Sequence, residues 1–169
     1  GGAWCQTPCA RAGPCALALH VGRPFLVPKA SAPVLAKAGG GAVVNITSIS
    51  GFRASTLRVA YGTSKAALKH LTKQQAVELA HLGIRVNAVA PGPVETAMAK
   101  AVHSDAIRAD YRDTIPLERY GLEEELADAI FYLSSDRASY ISGQILGVDG
   151  GFDATGIGLA TLRRDMRGG

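Results

Sequence analysis

The stretch that decides the fold is GAVVNITSISG, residues 41–51. Its first part, residues 42–46, is a short apolar run with adjacent valines, bounded by glycines before it and by polar residues after it. Short β-branched runs of this kind are typical of strands buried on both faces of a parallel sheet. We therefore predict a buried parallel strand over residues 42–46, followed by a loop through Ser50 and Gly51.

The segments on either side alternate between helical and strand patterns. Upstream, residues 25–36 have helical spacing, with a kink or restart near Pro33, and end at a run of three glycines. Downstream, apolar residues recur at the helical period over residues 60–82, and Gly83 is placed to cap that helix. The remaining predicted elements are strands over 84–89 and 144–148, a helix over 123–133, and a polar, mobile segment over 96–121 with one helical pattern.

This alternation of helices and strands predicts an α/β fold built on a parallel sheet. Ligands of such sheets bind where the carboxyl ends of the strands meet. Chemistry is therefore expected in the loops after Ile46, Val89 and Val148.

Composition and charge limit the partners that we expect. The apolar share of 47% and the charged share of 19% are those of a globular domain, and no apolar run is long enough for a membrane span. The net charge of +4 is uneven, because nine Lys/Arg precede the first acidic residue, Glu78. A basic half can bind nucleic acid, but these cations are scattered and lack interleaved aromatic residues. We therefore expect neither a nucleic-acid partner nor a membrane partner.

The two ends of the chain look different from its middle. Residues 1–19 contain all three cysteines, Cys5, Cys9 and Cys15, and show no clean period. We expect this head to be disordered or aberrant, and residues 154–169 to form a flexible tail. An odd number of cysteines without a second Cys/His cluster argues against a disulfide framework and against a metal site. A cytoplasmic setting is the expectation that fits this pattern.

A candidate acid/base pair begins the long predicted helix. Tyr61 and Lys65 are four residues apart, so their side chains lie one above the other on one helix face. A phenol has a pKa near 10, and a neighbouring ammonium lowers it by favouring the phenolate. Ser48 follows the predicted strand, where its hydroxyl can reach the start of the helix and donate to a substrate carbonyl oxygen. This set could carry general acid/base chemistry on a carbonyl group.

At this point a family resemblance becomes visible. The runs NITSISG (45–51) and YGTSK (61–65) resemble the active-site segment of the short-chain dehydrogenase/reductase family. RVNAVAPGPVET (85–96) is similar to the next motif of that family, and ISGQ (141–144) with VDGG (148–151) is similar to its C-terminal signature. The resemblance covers about residues 22–153 and is strongest to the type that includes 3-oxoacyl-carrier-protein reductases.

The resemblance implies an NAD- or NADP-dependent enzyme that interconverts a small carbonyl and an alcohol by hydride transfer. Tyr61 would be the proton donor or base, Lys65 would lower its pKa and bind the nicotinamide ribose, and Ser48 would hold the substrate oxygen. Asn87 is expected to tie its strand to neighbouring loops. The cofactor contacts implied in this way are Tyr61, Lys65, Pro91, Gly92, Val94 and Thr96.

The sequence also departs from the family pattern. No strand, glycine-rich turn and helix for the pyrophosphate is present. We therefore expect residues 20–153 to be the C-terminal part of the domain: a partial Rossmann-like, doubly wound parallel sheet missing its first strands. His20 falls where the family has a proton-relay Asn, and we interpret this position as lying beyond the resemblance. The three other histidines, His70, His81 and His103, are expected to lie on the surface.

Two functions remain open from the sequence. The first is the oxidoreductase, which the family assembles as a dimer or tetramer; we expect the full-length protein to be such an enzyme and this fragment alone to be inactive. The second is a catalytically silent remnant, which would keep the oligomerising helices without a cofactor-binding half.

Overall fold

Three parallel strands form the centre of the fold in the computed structural model, which describes residues 15–168. They lie in the order β1 (Gly41–Ile46), β2 (Ile84–Pro91) and β3 (Ile145–Val148). The prediction of a parallel α/β sheet is confirmed, and β2 runs two residues beyond the predicted end. The helices are α1 (Arg23–Lys37), α2 (Val59–Leu79), α3 (Ala97–Val102), α4 (Asp105–Thr114), α5 (Glu123–Ser134) and α6 (Ala160–Gly168).

Helices pack on both faces of the sheet, as consecutive residues of β2 show. Neighbouring strand residues point to opposite faces. Val86 packs in a core with Ala76 of α2 and Ala32 of α1, whereas the Arg85 guanidinium donates to the carbonyl of Leu133 in α5 at 2.9 Å. Helices α1 and α2 therefore cover one face, and α5 covers the other.

The middle strand is the most deeply buried element. From Ile84 to Ala90 only Arg85 is not buried, as expected for the centre of a doubly covered sheet. Asn87 is fully buried, and its amide donates to the Ile141 carbonyl at 2.8 Å and accepts from the Gln144 N–H at 3.0 Å. The prediction that Asn87 ties its strand to a neighbouring loop is confirmed.

Helix α1 continues past Pro33, which corrects the expected restart there, while the expected kink stays a prediction. It runs without interruption through Pro28 and Pro33 and is preceded by a π-helical turn, Ala18–Gly22. Pro28 has no N–H to donate to the carbonyl of Pro24. The Gln75 amide of α2 donates to that carbonyl instead, at 2.6 Å. A side chain from another helix thus satisfies the acceptor that the proline leaves unpaired.

Three regions that the sequence predicts to be irregular or flexible contain helices in the structure. Residues 15–19, expected to belong to a featureless head, are helical, while residues 1–14 of that head lie outside the described residues. Segment 96–121, expected to be mobile, contains α3 and α4, and the tail contains α6. From residue 15 to residue 168, no helix has the length and apolar character that a membrane span needs.

Candidate active site

Ser48 lies two residues beyond the end of β1, at the carboxyl edge of the sheet. Its side chain is buried, and its Oγ accepts a hydrogen bond from the Ser50 N–H at 3.1 Å, which caps the short helical turn Ile49–Gly51. This bond fixes the oxygen and uses it only as an acceptor. The Ser48 hydroxyl proton is therefore free to be donated to a ligand.

Tyr61 and Lys65 stand on one face of the first turns of α2, as predicted. The Lys65 Nζ lies 5.6 Å from the centroid of the Tyr61 ring and donates to the carbonyl of Ile46, the last residue of β1, at 2.8 Å. Partial burial lowers the pKa of Lys65. The ammonium is thus anchored between the strand that leads to Ser48 and the helix that carries Tyr61.

Two glycines let the Ser48 loop approach this helix closely. A Cβ on Gly51 would lie 2.8 Å from the carbonyl carbon of Lys65, and one on Gly62 would lie 3.0 Å from the carbonyl oxygen of Ser50. Both distances are shorter than normal contacts, so larger residues would push the loop away. The glycines of the two adjoining motifs therefore set the separation between Ser48 and the Tyr61–Lys65 pair.

His20, interpreted from the sequence as lying beyond the resemblance, lies beside this pair. Its ring meets the Tyr61 ring edge to face, with centroids 5.5 Å apart, and its Nδ1 is 2.9 Å from the Ser64 Oγ. Partial burial lowers the pKa of His20, and the charge of Lys65 lowers it further. The π-helical turn places this imidazole against α2.

The loop after β2 presents backbone and hydroxyl groups at the same edge of the sheet. Val94 forms a parallel bridge with Gly121, in which the Glu95 N–H donates to the Gly121 carbonyl and the Gly121 N–H donates to the Pro93 carbonyl. The N–H of Val94 itself therefore points away from Gly121. None of the backbone hydrogen bonds among residues 15–168 uses this N–H. Thr96 caps α3 by accepting from the Ala99 N–H at 3.1 Å, which leaves its hydroxyl proton free.

This arrangement of strand, loop and helix is shared with known proteins. Residues 15–153 match the family model described as enoyl-(acyl carrier protein) reductase. The structure of a short-chain type dehydrogenase/reductase from Mycobacterium ulcerans superposes with a TM-score of 0.83 at 32% identity, over 94% of this chain and 61% of that one.

The chain belongs to the short-chain dehydrogenase/reductase family.

Curated relatives of the short-chain dehydrogenase/reductase chain have known activities. The 3-oxoacyl-(acyl-carrier-protein) reductase FabG of Aquifex aeolicus (strain VF5) is 45% identical over 127 residues, which are 75% of this chain and 51% of the relative. The 7alpha-hydroxysteroid dehydrogenase of Clostridium sardiniense is 39% identical, over 76% of this chain and 49% of the relative. A 7 alpha-hydroxysteroid dehydrogenase structure, complexed with NADH and 7-oxo glycochenodeoxycholic acid, superposes with a TM-score of 0.82 at 36% identity, over 86% of this chain and 57% of that one. The chain spans about half the length of the curated relatives it matches.

In this short-chain dehydrogenase/reductase chain, segment 96–121 forms a small core of its own. Ile115 and Tyr120 are buried there, and Phe152 packs against them from beyond β3. His103, expected at the surface, lies 3.0 Å from the Tyr120 hydroxyl and stacks on the Tyr111 ring. The aromatic side chains of the segment therefore contact one another and form a local core.

Side chains from the chain end hold this segment from outside. The Thr155 hydroxyl lies 3.2 Å from the carbonyl of Thr114, the last residue of α4. The Arg163 guanidinium donates to the Asp113 carbonyl, and Arg164 pairs with the Asp113 carboxylate at 3.0 Å. These contacts supply donors to the end of a helix, whose last carbonyls have no partners within the helix.

The structure thus pairs Tyr61 with Lys65 and packs the loop that follows Ser48 against their helix, and it places the loop that carries Pro91, Gly92, Val94 and Thr96 at the same edge of the sheet. A groove of about 480 Å³ lies elsewhere, between segments 116–125 and 147–151, and none of those predicted site residues lines it. Within the described residues, 15–168, no cluster of His, Cys, Asp and Glu could hold a metal ion. Sequence reasoning gave no role to Ser64, although it immediately precedes Lys65.

Proposed function

We propose that the protein is an NAD(P)-dependent oxidoreductase that interconverts a small carbonyl compound and an alcohol. One observation carries the proposal: the Lys65 ammonium, held on the Ile46 carbonyl, lies 5.6 Å from the centre of the Tyr61 ring. This geometry places a cation beside the phenol ring. It supports Tyr61 as the group that gives a proton to the substrate oxygen in reduction and takes it back in oxidation.

The other residues of the site would orient the reactants. The Ser48 proton, not used by the loop, would be donated to the substrate oxygen. The free Val94 N–H and the Thr96 hydroxyl suit the carboxamide of a nicotinamide, and Lys65 suits the ribose next to it. The cofactor, when bound, supplies the hydride. The described residues fit this nicotinamide end of the cofactor, and the choice between NAD and NADP stays open.

The substrate class follows the relatives only in outline. One relative is named for an acyl-carrier-protein thioester and another for a hydroxysteroid, and both names imply a carbonyl or alcohol centre. We propose a small molecule with such a centre. Exposed apolar residues on α1, such as Leu26 and Val34, support a homo-oligomer, and the cysteine pattern supports a cytoplasmic setting.

The decisive test is the pair of variants Tyr61→Phe and Tyr140→Phe in the protein at the length that its gene encodes. Tyr140 is fully exposed and serves as the matched control. We expect Tyr61→Phe to reduce NAD(P)H-dependent carbonyl reduction by about 10²–10⁴-fold, with cofactor affinity nearly unchanged, because only the proton transfer is lost. Tyr140→Phe should keep wild-type turnover, and undiminished turnover in Tyr61→Phe would rule out the acid/base role.

The alternative is a catalytically silent protein that binds no dinucleotide. A fluorescence titration of the 169-residue chain with NADH and NADPH distinguishes the two, alongside the same titration of the gene-length protein. Binding by the gene-length protein alone supports an oxidoreductase whose cofactor site needs further residues. Absence of binding in both would favour the silent protein.

A further inference from the structure

His20 and Ser64 adjoin the candidate active site, and the proposed function gives neither of them a role. Ser64 is fully buried in α2, between Tyr61 and Lys65 in the same helical turn. His20 comes from the π-helical turn before α1 and is partly buried. Because Ser64 is held in the helix, its hydrogen bonds determine how the imidazole is oriented.

The hydrogen bonds of Ser64 fix which nitrogen of His20 carries the proton. The Ser64 Oγ lies 2.7 Å from the Tyr61 carbonyl, which can only accept, so the single hydroxyl proton is committed to that bond. The Oγ must then accept from the His20 Nδ1, at 2.9 Å. Were Ser64 to donate to His20 instead, two oxygens with facing lone pairs would be left 2.7 Å apart. The neutral imidazole is therefore protonated at Nδ1.

We propose that His20 is a positioning residue for Tyr61, held by Ser64 as the Nδ1–H tautomer with Nε2 left as the free proton acceptor of the ring. Among residues 15–168, no hydrogen bond involves Nε2. The His20 ring packs against the Tyr61 phenol ring with 88° between the ring planes, and so braces it from the π-helical turn. The reading of His20 as a brace rests on geometry, and its consequence for turnover rests on the proposed function.

Protonation of His20 changes charge and leaves this geometry intact. Both nitrogens of an imidazolium are donors, so the bond from Nδ1 to Ser64 survives. The groups of α2 beside His20 are Tyr61 and the Lys65 ammonium. Arg58, the residue before α2, holds its guanidinium 5.5 Å from the Tyr61 ring centroid. On its own side, Arg23 follows three residues later as the first residue of α1. Protonation therefore adds a positive charge to a ring whose centroid lies 5.5 Å from the centroid of the Tyr61 ring.

Nitrogen-15 NMR of the His20 ring in the 169-residue chain tests the tautomer without any variant. We expect the proton at Nδ1 and a bare Nε2 at a pH at which the ring is neutral. Ser64→Ala should weaken this preference, because it removes the acceptor. His81 is exposed and remote from His20 in sequence, so the variant His81→Gln removes its ring signals and separates them from those of His20. A predominant Nε2–H tautomer in the unmodified chain would overturn the proposal.

The pH response of Tyr61 tests the brace and the charge separately. With the tyrosines isotopically labelled at Cζ, we expect the NMR chemical shift of the Tyr61 Cζ to change by a small step at the pH at which His20 titrates. His20→Asn should keep the donor to Ser64 and lose the step, because its amide replaces Nδ1 and cannot titrate. His20→Gln should lose both, because its amide replaces Nε2. A step that persists in His20→Asn would overturn the proposal. These NMR signals do not require turnover, so they test the role of His20 independently of the proposed function.

Discussion

The region from Ser48 to Lys65 and segment 96–121 are held by different kinds of contact. In the first, Lys65 donates to a strand carbonyl 19 residues away, and glycines set the loop against the helix. In the second, Thr155 reaches Thr114 across 41 residues, and Arg163 reaches the Asp113 carbonyl across 50. The reacting groups therefore depend on local backbone geometry. The adjoining segment depends on side chains that come from the far end of the chain.

This difference suggests two levels of stability in one domain. Contacts to the central sheet break only when the sheet unfolds, whereas a segment with a small core of its own, tied down by a few side chains from the chain end, can open by itself. Such an arrangement keeps the acid/base pair rigid and lets the neighbouring segment change its packing. The following substitutions test whether the two regions are separable, from the largest expected effect to the smallest.

Leu68→Ala should produce the largest loss of stability. Leu68 is 1% exposed on α2, three residues beyond Lys65. Removing three buried carbons and leaving a cavity costs about 2–5 kcal/mol. Urea unfolding followed by circular dichroism should show this loss for the whole domain. Val77→Ala on the same helix, at a position 76% exposed, should change the free energy of unfolding by no more than about 0.5 kcal/mol. Equal effects of the two variants would contradict the assignment of the core.

Ile115→Ala should act on segment 96–121 alone. Ile115 is as deeply buried as Leu68, but its buried apolar neighbours are Ala99 and Tyr120 of the segment, with Phe152 packed against them from beyond β3. We expect amide hydrogen exchange to speed up over α4 and to stay slow over β2, because the segment opens without the sheet. Equal loss of protection in both elements would mean that they unfold as one unit, and the comparison would fail.

Thr155→Val should have a smaller effect at the same place. The Thr155 hydroxyl shares its proton between the carbonyls of Thr114 and Gly151, at 3.2 and 2.9 Å. Removing such a bond costs about 1 kcal/mol. Exchange of the amides in α4 should rise modestly, and Thr56→Val at an exposed loop position should leave it unchanged. Unaltered exchange in Thr155→Val would show that the chain end does not hold the segment.

The smallest effect should come from pH at the junction between the segment and α5. Arg119 forms a forked pair with Glu125, which lowers the Glu125 pKa from 4.5 to about 2. A lowered carboxyl pKa stabilises the folded state above pH 4.5, and that stability is lost as the pH falls towards 2. Glu125→Gln should flatten this part of the stability profile. An identical acid profile in wild type and variant would show that the exposed pair contributes nothing.

The sequence predicts well what is decided locally. The strands, the cap at Gly83 and the Tyr61–Lys65 face follow from short-range patterns, and the structure contains them. The uninterrupted α1 could not be foreseen, because the donor to the Pro24 carbonyl is Gln75, 51 residues away. The core of segment 96–121 could not be foreseen either, because polar residues separate its aromatic side chains along the chain. His20 was set aside because its partner, Ser64, becomes a neighbour only in the fold.

The bond from Lys65 to the Ile46 carbonyl has a consequence for the loop between them. The distance in space between Ser48 and Lys65 is set by this hydrogen bond between strand and helix and by the packing of Gly51. The number of residues in the loop between them does not set that distance. Residues 54–57 form its exposed tip. Loop closure costs only about 0.6 kcal/mol for each doubling of length. Insertions at this tip should therefore be tolerated, and the site could persist in chains where the serine and lysine are more widely spaced.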